Sequence, residues 1–520
     1  VVSSANLPAP YAGVDENLPK AALRSPFCEN LFNFNTNEAG ISLRNGDSKY
    51  YTITPAYTPA PRKLAAYGNT ALFAVDYKSS TTEMLIYNVE TGATAYTSAA
   101  SGNDSFYSFY FNNYLYLFGQ TVYYPGFQYD GATWTTITYT GSGLRPISGA
   151  VYNNRAYLAQ YGEAAYWYSE ISAVTGALTK INLAPILLEK SELYIITPIT
   201  IADTVSSVNL LAFVFNSGEV LFYSGSYPDS DSWGLVGRGK IGPPVNYDSY
   251  VAYQGDALIF CDTGVVSLRD LFLKGSEAAA SLTVNSRIQR TWTDLIQAMR
   301  VSFGNPSVAI NPHIRGVWDP KTNRIIISFP SYIDSSRTFQ QSGSFYFVFD
   351  TLRKSWNFQR SYGNGSGRIL DILRYKNKIL TLCEGSTKIM VYEKEGSTGF
   401  TDRSANDDAD TPYQYTMLSA PIPLPKTAVY EAVQIEPILE SDLYAETNWS
   451  FVVDFGRQSS GNQKTDAATT AVAKPAVNVG MQNITYVQVQ MSGTTAAAKT
   501  VGLDLYSYNV WYNSGEIASR

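Results

Sequence analysis

The chain has 520 residues, enough for one large domain or for two or three of ordinary size. Its 38 Lys and Arg stand against 44 Asp and Glu, and the net charge of -6 disfavours a protein that grips nucleic-acid phosphates through a basic excess. Three cysteines, far apart and odd in number, disfavour a disulfide framework and point to assembly in a reducing compartment. Charged residues make up only 16%, while Tyr alone contributes 40, a composition suited to pleated, half-buried surfaces and so to β structure.

The opening VVSSANLPAP has neither a basic start nor a hydrophobic middle, so no secretory signal is expected. Residues 1–60 are rich in Pro, Asn and turn formers and read as an N-terminal arm. An Asn or Asp then precedes an apolar run seven times: at Asn69, Asn113, Asn154, Asn209, Asp256, Asn323 and Asn377. Asn and Asp tolerate positive φ, so each reads as a tight turn feeding a buried strand. A second, more aromatic strand follows most of them, as in MLIYNVETG, AAYWYSEI and KIMVYEKEG. The turns lie 44, 41, 55, 47, 67 and 54 residues apart. Four-stranded propeller blades recur at about 40 to 50 residues, so the spacing predicts an all-β protein with a β-propeller of about six to eight blades over 61–410.

Within it, VLFYSGSYPDSDSWG reads as the inner hairpin of a blade, with Pro228, Asp229 and Asp231 in its turn and Trp233 resuming the next strand. The longest gap holds one helix, an insertion near 283–300, where Ile288, Trp292, Leu295, Ile296 and Met299 fall on one face. It suits either packing on a neighbouring blade or meeting another subunit. Residues 411–520 read as a C-terminal β-sandwich or extra sheet with a long loop from Gly456 to Ala473. No apolar run nears the ~18 residues of a bilayer span.

Catalytic patterns are scarce. The single histidine, His313 in NPHIRG, sits in a connection and reads as structural, and four Cys and His in all leave no zinc spacing. GRGKIG from Gly237 lacks the spacing and the Ser or Thr of a phosphate loop. Asp407, Asp408 and Asp410, and likewise Asp229 and Asp231, match no calcium loop and read as exposed turns. No catalytic, cofactor-binding or metal residue is assigned, no cofactor is expected, and the chain is read as no enzyme.

The arm NLPAPYAGVDENLPKAALRSPFCENLFNFNTNEAGISLRNG resembles the opening of the tail nozzle, or packaged-DNA stabilisation, proteins of short-tailed bacteriophages. The matching positions are Tyr11 and Gly13, Leu18 and Pro19, Glu29, Asn30 and Phe32, then Arg44 and Gly46. GEVLFYSGSYPDSDSWGLVGRGKIGPPV from Gly218, GDALIFCDTGVVSL from Gly255 and FVFDTLRKSW from Phe347 follow in the family's order, so the resemblance covers roughly residues 7–400. It implies a propeller-bearing virion subunit, a homohexamer below the portal and adaptor. Such a ring continues the DNA channel, retains packaged DNA, lets it pass without sequence-specific binding and carries fibres or spikes. It also implies a place in the phage tail after assembly in the host cytoplasm. An acidic chain fits a channel that must not hold DNA. The competing expectations are a propeller-type tail protein that binds or cleaves host glycan, and a cellular scaffold propeller with peptide partners.

Overall fold

A computed structural model describes the chain apart from residues 1, 19–21, 39, 46, 54–61, 79–82, 100–105, 120–125, 138, 141–143, 203–206, 276–283, 304–313, 331, 334–338, 341–343, 362–368, 384–387, 394–400, 404–409, 413, 424–428, 442–446, 454–457, 460–462, 465–485, 496–502 and 516–520. Much of the Gly456–Ala473 loop, together with His313, Asp407, Asp408, Pro19 and Gly46, therefore lies outside the described residues.

Seven sheets repeat one antiparallel layout. The first blade is Lys63–Tyr67, Ala71–Lys78, Glu83–Asn88 and Thr94–Ala99, paired in chain order. The next three follow the same order: Phe106–Phe111 to Trp134–Thr136, Pro146–Tyr152 to Gly176–Asn182, and Leu193–Ala202 to Gly234–Lys240. The fifth has three strands, Tyr250–Tyr253, Asp256–Cys261 and Gly264–Ser267. Two helices, α1 (Leu268–Lys274) and α2 (Gln289–Phe303), come after it. The sixth is Arg315–Asp319, Arg324–Phe329, Ser344–Asp350 and Ser355–Ser361. The seventh is Ile369–Tyr375, Lys378–Cys383 and Lys388–Tyr392, and its outermost strand is Ser48–Thr52 from the beginning of the chain. Each blade's first strand packs on the next blade, first strand to first strand except that the first strand of blade four meets the second strand of blade five, and the seventh blade meets the first, so the sheets close into a seven-bladed β-propeller.

Face-to-face stacking of blades explains the apolar runs. A second strand is covered on both faces, and all six residues of Asp256–Cys261 are buried. Outer strands see solvent: five of the seven residues of Gly176–Asn182 are exposed. The Asn turns join first to second strands. At Asn112–Asn113, Asn153–Asn154 and Lys376–Asn377 both residues have positive φ, the backbone of a tight hairpin with matching twist. Two of the seven expected turns are placed differently. Asn209 lies inside the strand Ser207–Phe215, opposite Thr200, and Asp256 follows a Gln254–Gly255 turn as the first residue of its strand. VLFYSGSYPDSDSWG is the outer hairpin of the fourth blade, not an inner one, because two strands precede it in its sheet.

The first 60 residues are not a free arm. Besides Ser48–Thr52, the strand Cys28–Phe32 joins the outer edge of the sixth blade through Phe32 and Phe358, and pairs on its other side with Gln414–Ser419. Tyr486–Thr494 and Thr447–Val453 extend that sheet. A second sheet is centred on Leu503–Gly515. Val429–Ser441 follows one of its edges throughout, so Val2–Pro8 and Ile41–Leu43 share the other, and Phe34–Thr36 lies beyond. Leu31, Phe34, Tyr415, Met417, Trp449, Val489, Leu505 and Val510 fill the space between the two sheets. The result is a β-sandwich made from both ends of the chain and continuous with the sixth blade.

Helix α2 packs inward. Trp292 is fully buried against Phe260, Phe329 and Phe347 of the fifth and sixth blades, and its Nε1 donates to the Cys261 carbonyl at 2.9 Å. Of the two roles open for this helix, blade packing is the one its apolar face performs.

Candidate functional site

The mouth of the propeller axis gathers charge. Lys63 begins the first strand of blade one, Arg315 that of blade six, Asp371 lies early in that of blade seven, and Asp248 precedes that of blade five. Asp371 accepts from the Leu64 N–H at 2.8 Å, pairs with Lys63 Nζ at 3.3 Å and is bonded by Arg315. Arg315 also reaches Asp248 at 2.7 Å. The four side chains are 2% to 14% exposed. Burial works to lower the Arg315 pKa, but Asp248 and Asp371 outweigh it and keep the guanidinium charged. Burial, followed by repulsion from Arg315, holds the Lys63 ammonium below its ordinary value while both carboxylates pull the other way.

The ring continues without charge. Tyr107 of blade two donates to Gly149 O of blade three at 2.8 Å, and Ser148 donates to Tyr194 O of blade four at 2.6 Å. Tyr194 then meets Tyr247, before blade five, edge to face at 6.3 Å. Burial raises the Tyr107 hydroxyl well above its ordinary range, and Tyr250 and Asp248, from across the axis, push it further. Side chains from all seven blades therefore contribute to this level of contacts between blades. Two cations face two carboxylates, each already bonded, an arrangement that holds rather than turns over.

The opposite face is stitched turn to turn. Asn112 Nδ2 donates to Ser172 O and Asn153 Nδ2 to Gly225 O, both at 2.8 Å and both from one blade to the outer turn of the next. Tyr375 donates to Glu90 at 2.8 Å and Lys376 pairs with the same carboxylate, closing blade seven onto blade one. The SGSYPDSDSW turn is the largest of these joints. Tyr168 donates to Asp229, the Arg155 guanidinium lies 4.5 Å from the Tyr227 ring centre, and Trp233 stacks on Tyr157 at 6.0 Å and 13°.

Several residues of the arm fasten it to the rest of the fold, while Tyr11 and Leu18 of its signature are exposed. Gly13 has φ +76°, and a Cβ there would stand 2.5 Å from the Trp356 carbonyl, which accepts the Val14 N–H at 3.0 Å. Glu16 accepts from Thr291 N at 2.9 Å and from Thr291 Oγ1 at 2.5 Å, putting a carboxylate on the first turn of α2, where free N–H groups and the helix dipole favour it. Glu29 accepts from Gln488 at 3.0 Å. Arg44, fully buried, donates to Asn33 Oδ1 at 3.1 Å and to Arg360 O at 2.7 Å, and pairs with Asp47 at 3.4 Å.

Among the described residues no three His, Cys, Asp or Glu gather as metal ligands, and no helix is long and apolar enough to cross a membrane. Burial pushes the Cys28 and Cys261 thiols up, away from the reactive thiolate. Most of GRGKIG lies in the outer strand Gly234–Lys240, where Arg238 pairs with Glu219 at 2.9 Å. Lys63, Asp248, Arg315 and Asp371 carried no motif. The one signal available was a charge set beside or inside an apolar run, as in HIRGVW and ILDIL.

No family model matches the chain, and no curated protein does. Among solved structures it is similar to the computationally designed Ika8 protein, with 8% identity, 67% of this chain and 100% of that one covered, and a TM-score of 0.35. It is also similar to Raptor of Chaetomium thermophilum, with 11% identity, 68% of this chain and 30% of that one, TM-score 0.39. The β-propeller domain of Myceliophteria thermophila Cps50 (Swd1) aligns with 8% identity, 67% of this chain and 99% of that one, TM-score 0.40.

Proposed function

We propose that this chain is a structural virion protein that forms the ring-shaped nozzle of a short phage tail. In this reading six copies sit below the portal and adaptor, continue the DNA channel, retain packaged DNA until ejection and carry fibres or spikes. One observation carries the reading: residues of the phage-protein resemblance stand at joints of the scaffold. Gly13 with Trp356, Glu29 with Gln488, Arg44 with Arg360 and the turn Gly225–Trp233 each fasten one part of the fold to another. Residues of the resemblance that stand at joints suit a protein whose work is shape. The channel in this reading lies between copies, and the ion pairs of Arg315 with Asp371 and Asp248 tie blades together around each propeller's own axis.

The glycan-binding alternative draws on Tyr67, Tyr110 and Tyr129, whose rings cluster at 5.2 to 5.4 Å beside Asp130, with Tyr110 45% exposed. Asp130, however, accepts from Ala132 N, Thr133 N and Thr133 Oγ1, so its carboxylate serves its own turn. Electron microscopy of virions assembled without the gene separates the readings. Heads that package DNA and lose it, on tails that stop at the adaptor, are expected for a nozzle. Full heads with complete central tails that fail to adsorb would overturn it in favour of a glycan-binding protein.

A further inference from the structure

The second sheet of the sandwich has long strands at its edges. Its central strand Leu503–Gly515 is flanked by Val429–Ser441 on one side and Val2–Pro8 on the other, and among the described residues neither flanking strand pairs with anything further out. One sheet therefore presents two free backbone edges, facing opposite ways. The longer, at thirteen residues, runs for ~40 Å at the usual rise per residue. Free edges of that length are templates for strand addition. Two different edges on opposite sides of one sheet can join head to tail, and a head-to-tail contact that closes by rotation makes a ring.

The two faces of this sheet also differ. Leu505, Tyr508 and Val510 are buried towards the first sheet, while Asn6, Pro8 and Tyr506 are exposed. The covered face has the rest of the molecule behind it, so only the other can face a bore. The three strands contain Glu431, Glu436, Glu440 and Asp504 and no Lys or Arg. The register sets Glu440 opposite Asp504, Glu436 opposite Asn509 and Glu431 opposite Asn513.

We infer that copies of this chain join Val2–Pro8 of one to Val429–Ser441 of the next, so that these two strands and Leu503–Gly515 of every copy close into a single β-barrel whose bore is the DNA channel. The inference rests on the nozzle reading for the number of copies. Six copies give eighteen strands, and at a spacing of ~4.8 Å and a tilt of ~40° such a barrel is ~36 Å across between backbones, open enough for a DNA duplex and its water. Strands that contain no Lys or Arg offer no side-chain cation for a phosphate contact that would have to be broken as DNA moves.

The test uses the full chain, whose three native cysteines are buried. Ser4→Cys and Gln434→Cys in one chain, under mild oxidation or a short bis-maleimide, are expected to give a covalent ladder ending at six, with neither single variant doing so. Hydrogen exchange on the unaltered protein provides a second readout, with amides of both edge strands expected to slow at least tenfold in the ring relative to the monomer. Rings seen by electron microscopy with no ladder and no edge protection would overturn the barrel and leave the nozzle reading standing. Unaltered protein that forms no ring, alone or in the virion, would remove the nozzle reading and the barrel with it.

Discussion

The propeller and the terminal sandwich share a sheet but are assembled by opposite rules. Blades one to five are built from hairpins, each strand pairing with the next in sequence. The sandwich is built from contacts across almost the whole chain: Gln488 donates to Glu29 and Asn33 to the Gln414 carbonyl. Local pairing costs little loop entropy, whereas distant pairing must overcome it before any contact stabilises the fold. The propeller is therefore expected to hold without the sandwich more readily than the sandwich without the propeller, with the sixth blade as their shared boundary.

The sharpest way to break that contrast is Trp449→Ala. Trp449 is fully buried between the sandwich sheets, and its loss is expected to cost about 3–5 kcal/mol. Hydrogen exchange should then accelerate in Gln414–Ser419 and Tyr486–Thr494 and stay slow in blades two to four. Uniform acceleration would show one cooperative unit instead of two.

Asp371→Asn tests closure of the propeller itself. It leaves Arg315 with Asp248 alone and Lys63 without its partner, and about 3 kcal/mol of stability to chemical denaturation is expected to go, since removing one member of a buried pair strands the other.

Asn153 tests the turn stitching at smaller scale. Asn153→Ala puts at φ +47° a residue that tolerates positive φ less well than Asn and lacks the bond to Gly225, a loss of about 1–2 kcal/mol, while Asn153→Gly keeps the backbone and should lose only about half as much. Equal losses in thermal unfolding would mean the turn conformation contributes nothing.

Glu90 gives the weakest effect and a pH signature. Donation from Lys376, and then from Tyr375, holds its pKa below the ordinary 4.5 against some burial. Its contribution is present above pH 4.5 and is lost as pH falls through the lowered folded value. Glu90→Gln should flatten that part of the stability profile, by under about 1 kcal/mol because both partners are about a third or more exposed.

What the sequence revealed follows from burial. Second and third strands are enclosed by neighbouring blades, so ALFAV, YLYLF and ALIFC announced themselves as apolar runs. Outer strands such as GLVGRGK look like loops, and the first strand PISGAVY is broken by a Gly that a tight approach requires: a Cβ on Gly149 would meet the carbonyl of Tyr157, on the neighbouring strand of its own blade, at 2.6 Å. One-half of most blades was therefore hidden, and the Tyr-rich hairpin of the fourth blade was assigned to the inner position. The helix was legible because Trp292, Leu295 and Met299 repeat at helical spacing on one buried face. The axial charge cluster was not legible, because Lys63, Asp248, Arg315 and Asp371 come from four blades and are brought together only by closure.

The seventh blade also sets an order of events during synthesis. Ser48–Thr52 leaves the ribosome early, yet its partner strand begins only at Lys388. At ~5–20 residues per second the early strand waits tens of seconds with nothing to pair against. Until then the nascent chain carries an open ring and an orphan strand, so an interrupted translation product ending anywhere between them would emerge as an aggregation-prone species rather than a smaller propeller.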